Sequence, residues 1–342
     1  MVGLVTHSVE VTWLLDDITM RGTLTVPAGD GRFPAVVMVA GSGPTDRDWC
    51  SPLLPGTNGS ARLLAEAFAD AGIASLRYDK RASGPDVAES ARILFGKFSM
   101  RSHLDELAAA MGVLAENESV DVARIAGLGN SEGTLHVLHY ATSSQHVPLA
   151  GLVLLAPPGR PVGEVLLSQF ALQATQFPGG AELMPLVEAA AAHYSAGEPM
   201  NSDPRLPDSV KMVLVSFESP ANLPLARELW NEDAADVLWK LDIPTLILIG
   251  RKDLQVDATL DGGALERAAA GKDNITIEYP ANANHVFKEE TRPTSEVLAA
   301  PGNGYNEDGT HLDPESLAMI LDWLYEVLSI TRELPIERNI EK

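Results

Sequence analysis

Short runs that are apolar on both sides alternate with stretches of helical periodicity, and this alternation constrains the fold of the chain most. Pro34–Ala40, Gly72–Tyr78, Val122–Leu128 and Leu149–Leu155 are runs of this kind, as expected of strands buried on both faces of a parallel sheet. Between them, Ser60–Ala71, Met100–Leu114 and Ser131–Ala141 repeat apolar residues at helical spacing. Parallel neighbours need a crossover, usually a helix. The pattern therefore predicts an α/β fold: a mostly parallel central sheet with helices on both faces. Before it, Ser8–Leu15 and Ile18–Val26 flank Asp16-Asp17 and predict an opening hairpin.

The alternation breaks at about Pro158. From there to Leu241 the chain shows helix-like pieces, Gly163–Ala174, Ala181–Tyr194 and Leu223–Trp239, and only Met212–Val215 looks like a strand. Sheet-like runs resume at Pro244–Gly250 and Ile275–Tyr279, followed by a helix at Pro314–Ser329. The expected organisation is a core built from residues 1–157 and 242–342, with residues 158–241 inserted as a helical cap, or lid. Glu289–Asp313 reads as a long irregular loop holding a short helix.

Charge narrows the partners. There are 47 acidic and 25 basic residues, a formal charge of -22. Such a surface repels phosphate backbones and anionic lipid, so neither nucleic acid nor a membrane surface is expected to bind. Cys50 is the sole cysteine, which excludes an intrachain disulfide and any multi-cysteine metal or cluster site. Met1–Val11 lacks the features of an export signal, and the apolar runs are too short to span a bilayer. The expectation is a cytoplasmic protein; homo-oligomerisation is left open.

One motif carries chemistry. Gly129-Asn130-Ser131-Glu132-Gly133 follows a predicted strand and opens a predicted helix, the context of a nucleophile elbow. Glycine is needed at both flanks because a side chain there would strike the strand or helix. A serine nucleophile needs a base, and the base needs an orienting carboxylate. In this architecture the chain order is serine, acid, histidine. Asp253 lies just past the run that ends at Gly250, with Asp257 and Asp261 as further carboxylates. His285 follows the next strand, and His311 in the late loop is its main competitor. The oxyanion of the reaction needs backbone N–H donors. The amide of Glu132 is one candidate, and Ser42, in Ala40-Gly41-Ser42-Gly43, is the other. The charged runs Asp46-Arg47-Asp48 and Asp79-Lys80-Arg81 read as either solvated or internally braced.

These pieces together resemble bacterial α/β-hydrolase carboxylesterases, the EstD-like esterases in particular. Gly41-Ser42-Gly43-Pro44-Thr45-Asp46-Arg47-Asp48 is similar to their G-S-G-P-x-D-R-D loop. Leu76–Arg81 looks like their L-R-x-D-x-R segment, and Gly129–Gly133 like their G-H-S-E-G elbow. Lys252–Val256 and Asn284–Phe287 look like their acid and base segments. The resemblance spans nearly the whole chain and implies a serine esterase with a helical cap and the triad Ser131, Asp253 and His285. Asn130, where the group has histidine, and the long loop Pro301–Asp313 depart from the pattern.

The expected function is hydrolysis of small-molecule carboxylic esters through an acyl-enzyme, with no cofactor and no metal. Apolar residues of the insertion, Phe170 and Met184 foremost and also Leu172, Phe177 and Leu186, are expected to line an acyl pocket. The alternatives are a thioesterase or peptidase with the same triad, or an inactive hydrolase fold serving as a binding module.

Overall fold

Asp16 and Asp17 both adopt left-handed backbone angles, φ 50° and 64°, as the centre of a two-residue hairpin turn requires. They join β1 (His7–Leu15) to β2 (Ile18–Val26) as the expected antiparallel hairpin, with Leu15 opposite Ile18. The computed structural model describes residues 6–331 apart from 82, 144–146 and 177, so the expectation for Phe177 lies outside the described residues.

The remaining strands are β3 (Phe33–Val39), β4 (Ala74–Tyr78), β5 (Val120–Asn130), β6 (Gly151–Leu155), β7 (Thr245–Leu248) and β8 (Ile275–Glu278). With the hairpin they form one sheet in the order β1-β2-β4-β3-β5-β6-β7-β8. From β4 to β8 all pairings are parallel; β2 joins β4 antiparallel. The central strands β3, β4 and β6 are buried nearly throughout. Helices α1 (Ser60–Asp70), α2 (Val87–Leu94), α3 (Met100–Glu116) and α4 (Glu132–Thr142) alternate with the first strands. Chain order reverses between β3 and β5, and crevices at the carboxyl ends of open α/β sheets form at such a point. Register makes this concrete: Val39 pairs with Gly129, so the loops leaving β3 and β5 start side by side.

Between β6 and β7 lie α5 (Val162–Ala174), α6 (Gly180–Ser195), α7 (Asp208–Ser216), α8 (Leu225–Leu229) and α9 (Ala235–Leu238). The expected strand at Met212–Val215 is instead part of α7. Its valines and leucine carry no clear period, and Pro207 with Asp208 supplies a helix start that the apolar run conceals. Part of this segment has its own core, where Val187, Tyr194, Met200, Leu206, Leu214 and Trp230 cluster. Others of its residues, among them Val165, Leu225, Leu229 and Leu238, join the sheet's core. The chain closes with α10 (Leu260–Ala268), α11 (Thr294–Ala299) inside the late loop, and α12 (Pro314–Val327). No helix among the described residues is long and apolar enough to cross a membrane.

The turn from β5 into α4 leaves no room for side chains at its flanks. A Cβ on Gly129 would lie 2.4 Å from the Gly133 carbonyl oxygen, and one on Gly133 would lie 2.4 Å from that of Val39. Gly133→Ala is therefore expected to destabilise the protein by about 1–3 kcal/mol, as overpacking against rigid backbone does. Gly112→Ala, in α3 with nothing near the added carbon, is expected to gain about 0.5–1 kcal/mol. Thermal denaturation of both variants checks the contrast; equal melting temperatures would contradict it.

Candidate active site

Ser131 occupies the tip of that turn with φ 54° and ψ -123°, a region sparsely populated by residues with a side chain. Its amide donates to the Leu155 carbonyl at 2.8 Å, which ties the turn to the end of β6. The loop after β3 touches it directly: a Cβ on Gly41 would lie 3.2 Å from the Ser131 Cβ. Glycine there lets the Gly41–Gly43 backbone approach the serine.

Asp253 and His285 follow β7 and β8. His285 Nδ1 stands 2.8 Å from Asp253 Oδ2, and both side chains are buried. The other carboxylate oxygen of Asp253 accepts the amides of Gln255 at 2.7 Å and Val256 at 3.0 Å. The carboxylate is thus held from both sides, with one oxygen left for the imidazole. The other carboxylates have structural partners. Asp257 accepts the amides of Thr259 and Leu260 at 2.8 Å. Asp261 takes a two-point grip from Arg160 at 3.0 Å. His311 is exposed and pairs with Glu289 at 2.7 Å.

Asn130, the departure beside the serine, has a definite place. Its side-chain amide donates to the backbone carbonyl of His285 at 3.0 Å, so the elbow and the histidine loop are fastened to each other. The sequence shows the odd residue but not its partner, which is 155 positions away.

Ser131, His285, Ser42 and Glu132 share the wall of one cavity of about 840 Å³, within the usual range for small-molecule sites. From α5 the wall takes Val162, Val165, Leu166 and Gln169, the helical i, i+3, i+4, i+7 stripe; α8 adds Leu225 and Leu229. Phe170 and Met184 are not on it. Phe170 stands one residue past the stripe and packs on the segment's own core with Leu166 and Leu167. Met184, in α6, is half-buried and faces elsewhere. The apolar residues were visible in the sequence, but which stripe of α5 faces inward depends on packing. Tyr305 and Asn306, from the late loop, also line the cavity and were not singled out by sequence. Lys288 anchors that loop, donating to the Asn58 carbonyl and the Thr310 hydroxyl, each at 2.8 Å.

The charged runs are braces. Arg47 holds Asp79 through its backbone amide and guanidinium at 2.6 to 3.0 Å, and Arg77 holds Asp48 at 2.6 Å. Arg81 reaches Glu106 at 2.9 Å. Behind the elbow, Glu132 Oε1 lies 3.1 Å from His136 Nε2, 3.4 Å from Lys80 Nζ and 3.9 Å from His103 Nε2. His103, Glu132 and His136 have the spacing of metal ligands. The ammonium already beside the shared oxygen opposes a cation there, and Lys80 and His136 supply that oxygen with an ion-pair and a hydrogen-bond partner. Burial pushes the Glu132 carboxyl up, but the Lys80 charge and the His136 hydrogen bond bring it well below the ordinary carboxylate range. Burial and the neighbouring His103 push His136 down to about 4. Burial, with Asp46 and Asp48 beside it, pushes the Cys50 thiol up to about 12, which disfavours the thiolate.

The histidine shift sets a pH dependence. Unfolded, His136 takes its proton near 6.5; folded, only near 4. Between these values the unfolded chain binds more protons, so stability falls as pH drops from 6.5 to 4. His136→Gln, which keeps an N–H donor for Glu132, is expected to show a shallower fall in melting temperature over that window. An unchanged slope would contradict the assignment.

Comparisons with known proteins place the chain by family and fold. Residues 36–300 match the model of the alpha/beta hydrolase family. The chain is 29% identical to esterase EstD of Thermotoga maritima over 274 residues, 79% of this chain and 59% of that protein. Among solved structures, proline iminopeptidase of Mycobacterium smegmatis superposes with a TM-score of 0.54 at 14% identity, covering 94% of this chain and 99% of its own. An esterase of Pyrococcus furiosus does so with a TM-score of 0.52 at 16% identity, covering 94% and 93%. These two likenesses speak for the fold alone. The family match takes in the turn carrying Ser131 and the segments carrying Asp253 and His285, and the chain belongs to the alpha/beta hydrolase family.

Proposed function

We propose that this chain is a serine hydrolase of carboxylic esters, with Ser131 as nucleophile, His285 as general base and Asp253 as its orienting acid. The observation that carries the reading is the meeting, on one cavity, of a serine in a strained turn and a histidine bonded to a buried carboxylate. The neutral imidazole donates Nδ1–H to Asp253, which leaves Nε2 as the acceptor for the serine proton. Ser131 Oγ attacks the ester carbonyl and its proton passes to Nε2. The carbonyl oxygen becomes an oxyanion, received by the amides of Ser42 and Glu132. His285 returns the proton to the leaving alcohol as the C–O bond breaks, giving an acyl-enzyme. Water then attacks with His285 again as base, which releases the acid and restores the serine.

The helical segment 158–241 acts in this reading as a lid over the acyl side of the cavity. The resemblance to esterase EstD favours esters. So does the cavity wall, whose one carboxylate among the described residues is Glu132, already paired with Lys80. A peptidase that anchors a substrate α-amine would need a carboxylate free to meet it.

Two measurements test this. Turnover of an aryl ester is expected to fall by several orders of magnitude in Ser131→Ala with the fold intact, because members of such a triad act as a unit. More than a tenth of wild-type turnover in that variant would overturn the assignment. Specificity for acetyl against octanoyl esters is expected to shift in Leu166→Ala and Leu229→Trp, whose side chains line the cavity, and to stay constant in Phe170→Ala. The reverse pattern would remove the lid segment from the acyl site.

A further inference from the structure

Lys80 is nearly inaccessible, 3% exposed, yet it carries an ammonium that the mechanism above leaves without a task. Burying such a charge is costly unless its protons are well received. Its Nζ donates to the Gly41 carbonyl oxygen at 2.5 Å and stands 3.4 Å from Glu132 Oε1. The two acceptors belong to the two segments that bear the oxyanion donors, the loop after β3 and the first residue of α4.

We infer that Lys80 is a positioning residue for the oxyanion hole, one ammonium holding both of its backbone donors in register. This rests on the serine-hydrolase reading. The Gly41 carbonyl and the Ser42 N–H are the two ends of a single peptide unit. In a trans peptide they point in opposite directions across a rigid plane. A donor that fixes the carbonyl therefore fixes the direction of the N–H, and it aims that N–H away from Lys80. A cation on the carbonyl oxygen also draws electron density from the peptide nitrogen and makes its N–H a stronger donor. On the other side, Lys80 and His136 together hold the Glu132 side chain against the first turn of α4, which fixes the residue whose amide is the second donor. Gly41 also abuts Asn130 and Ser131 directly, so small displacements of this peptide would be felt at the nucleophile. Lys80 touches no reacting atom; it acts through the peptides it holds.

The test compares wild type, Lys80→Met and the double variant Lys80→Met/Glu132→Gln. The double variant removes the carboxylate that the single change would strand. Three readings are taken on each protein shown to be folded by its melting transition: kcat and KM for an aryl ester, the affinity of an aryl trifluoromethyl ketone, and labelling by a fluorophosphonate. Removing an oxyanion donor outright costs on the order of 100- to 1,000-fold in kcat; misaiming it is expected to cost about 10- to 100-fold. KM should move less than about threefold, and ketone affinity should fall by the same factor as kcat, because its serine adduct carries an oxyanion. A merely structural lysine would lower the melting temperature without this split. If either folded variant keeps kcat and ketone affinity within twofold of wild type, while wild type is labelled at Ser131, the role of Lys80 is wrong and the hydrolase reading stands. If wild type is not labelled at Ser131, the hydrolase reading fails and takes this inference with it.

Discussion

Ser131 holds a backbone conformation that a serine does not adopt freely, φ 54° and ψ -123°, and the rest of the site depends on what keeps it there. Gly129 and Gly133 permit the turn because nothing larger fits against the Gly133 and Val39 carbonyls. The sheet end at Leu155 takes the serine amide. The strain is local, of order 1–3 kcal/mol for such a residue, and it is offset by the packing of β5 and α4 on either side. In return the hydroxyl stands above the carboxyl edge of the sheet, at the point where chain order reverses and two loops diverge. Every other site residue is placed relative to that point.

The strand β4 has the second organising role, and it is electrostatic. Arg77 near its end and Asp79, Lys80 and Arg81 just past it each grip a different group: the first three hold the Asp48 carboxylate, the Arg47 backbone and guanidinium and the Gly41 carbonyl, all in the loop after β3, and the last holds Glu106 of α3. All four are buried. Pairs of this kind contribute little net stability once desolvation is counted, but breaking one leaves a charge stranded and is costly. Their effect is to leave the loop after β3 a single arrangement. In a chain with a formal charge of -22, the cavity beside Ser131 has Glu132 as its one carboxylate among the described residues.

Much of this was legible in the sequence, for identifiable reasons. The short double-sided apolar runs fixed strand identity, and the turn Asp16-Asp17 and the glycines around Ser131 declared their own geometry. Asp253 and His285, which the structure brings within 2.8 Å of each other, could be singled out because each follows a strand end. What escaped the sequence depends on facing and on distance along the chain. Leu166 and Phe170 are both apolar residues of α5, and only packing decides which lines the cavity. Met212–Val215 is apolar without a period, so it passed for a strand. The helix α2 was overlooked because it is short and lies in a polar stretch. The pairing of Asn130 with His285, of Lys80 with Gly41, and the arrival of Tyr305 from the late loop join residues far apart in sequence. His136 is buried against the Glu132 carboxylate, which its neighbours in sequence do not reveal.

The central claim is that Ser131 is a nucleophile made reactive by His285. The most direct measurement is to treat the folded protein with a fluorophosphonate and map the adduct by peptide mass spectrometry, in wild type and in His285→Ala. The account predicts a single adduct on the peptide bearing Ser131, formed rapidly in wild type and slowed by orders of magnitude without the histidine. A folded wild-type protein that gains no adduct, gains it on another residue, or labels Ser131 equally fast without His285 would contradict it.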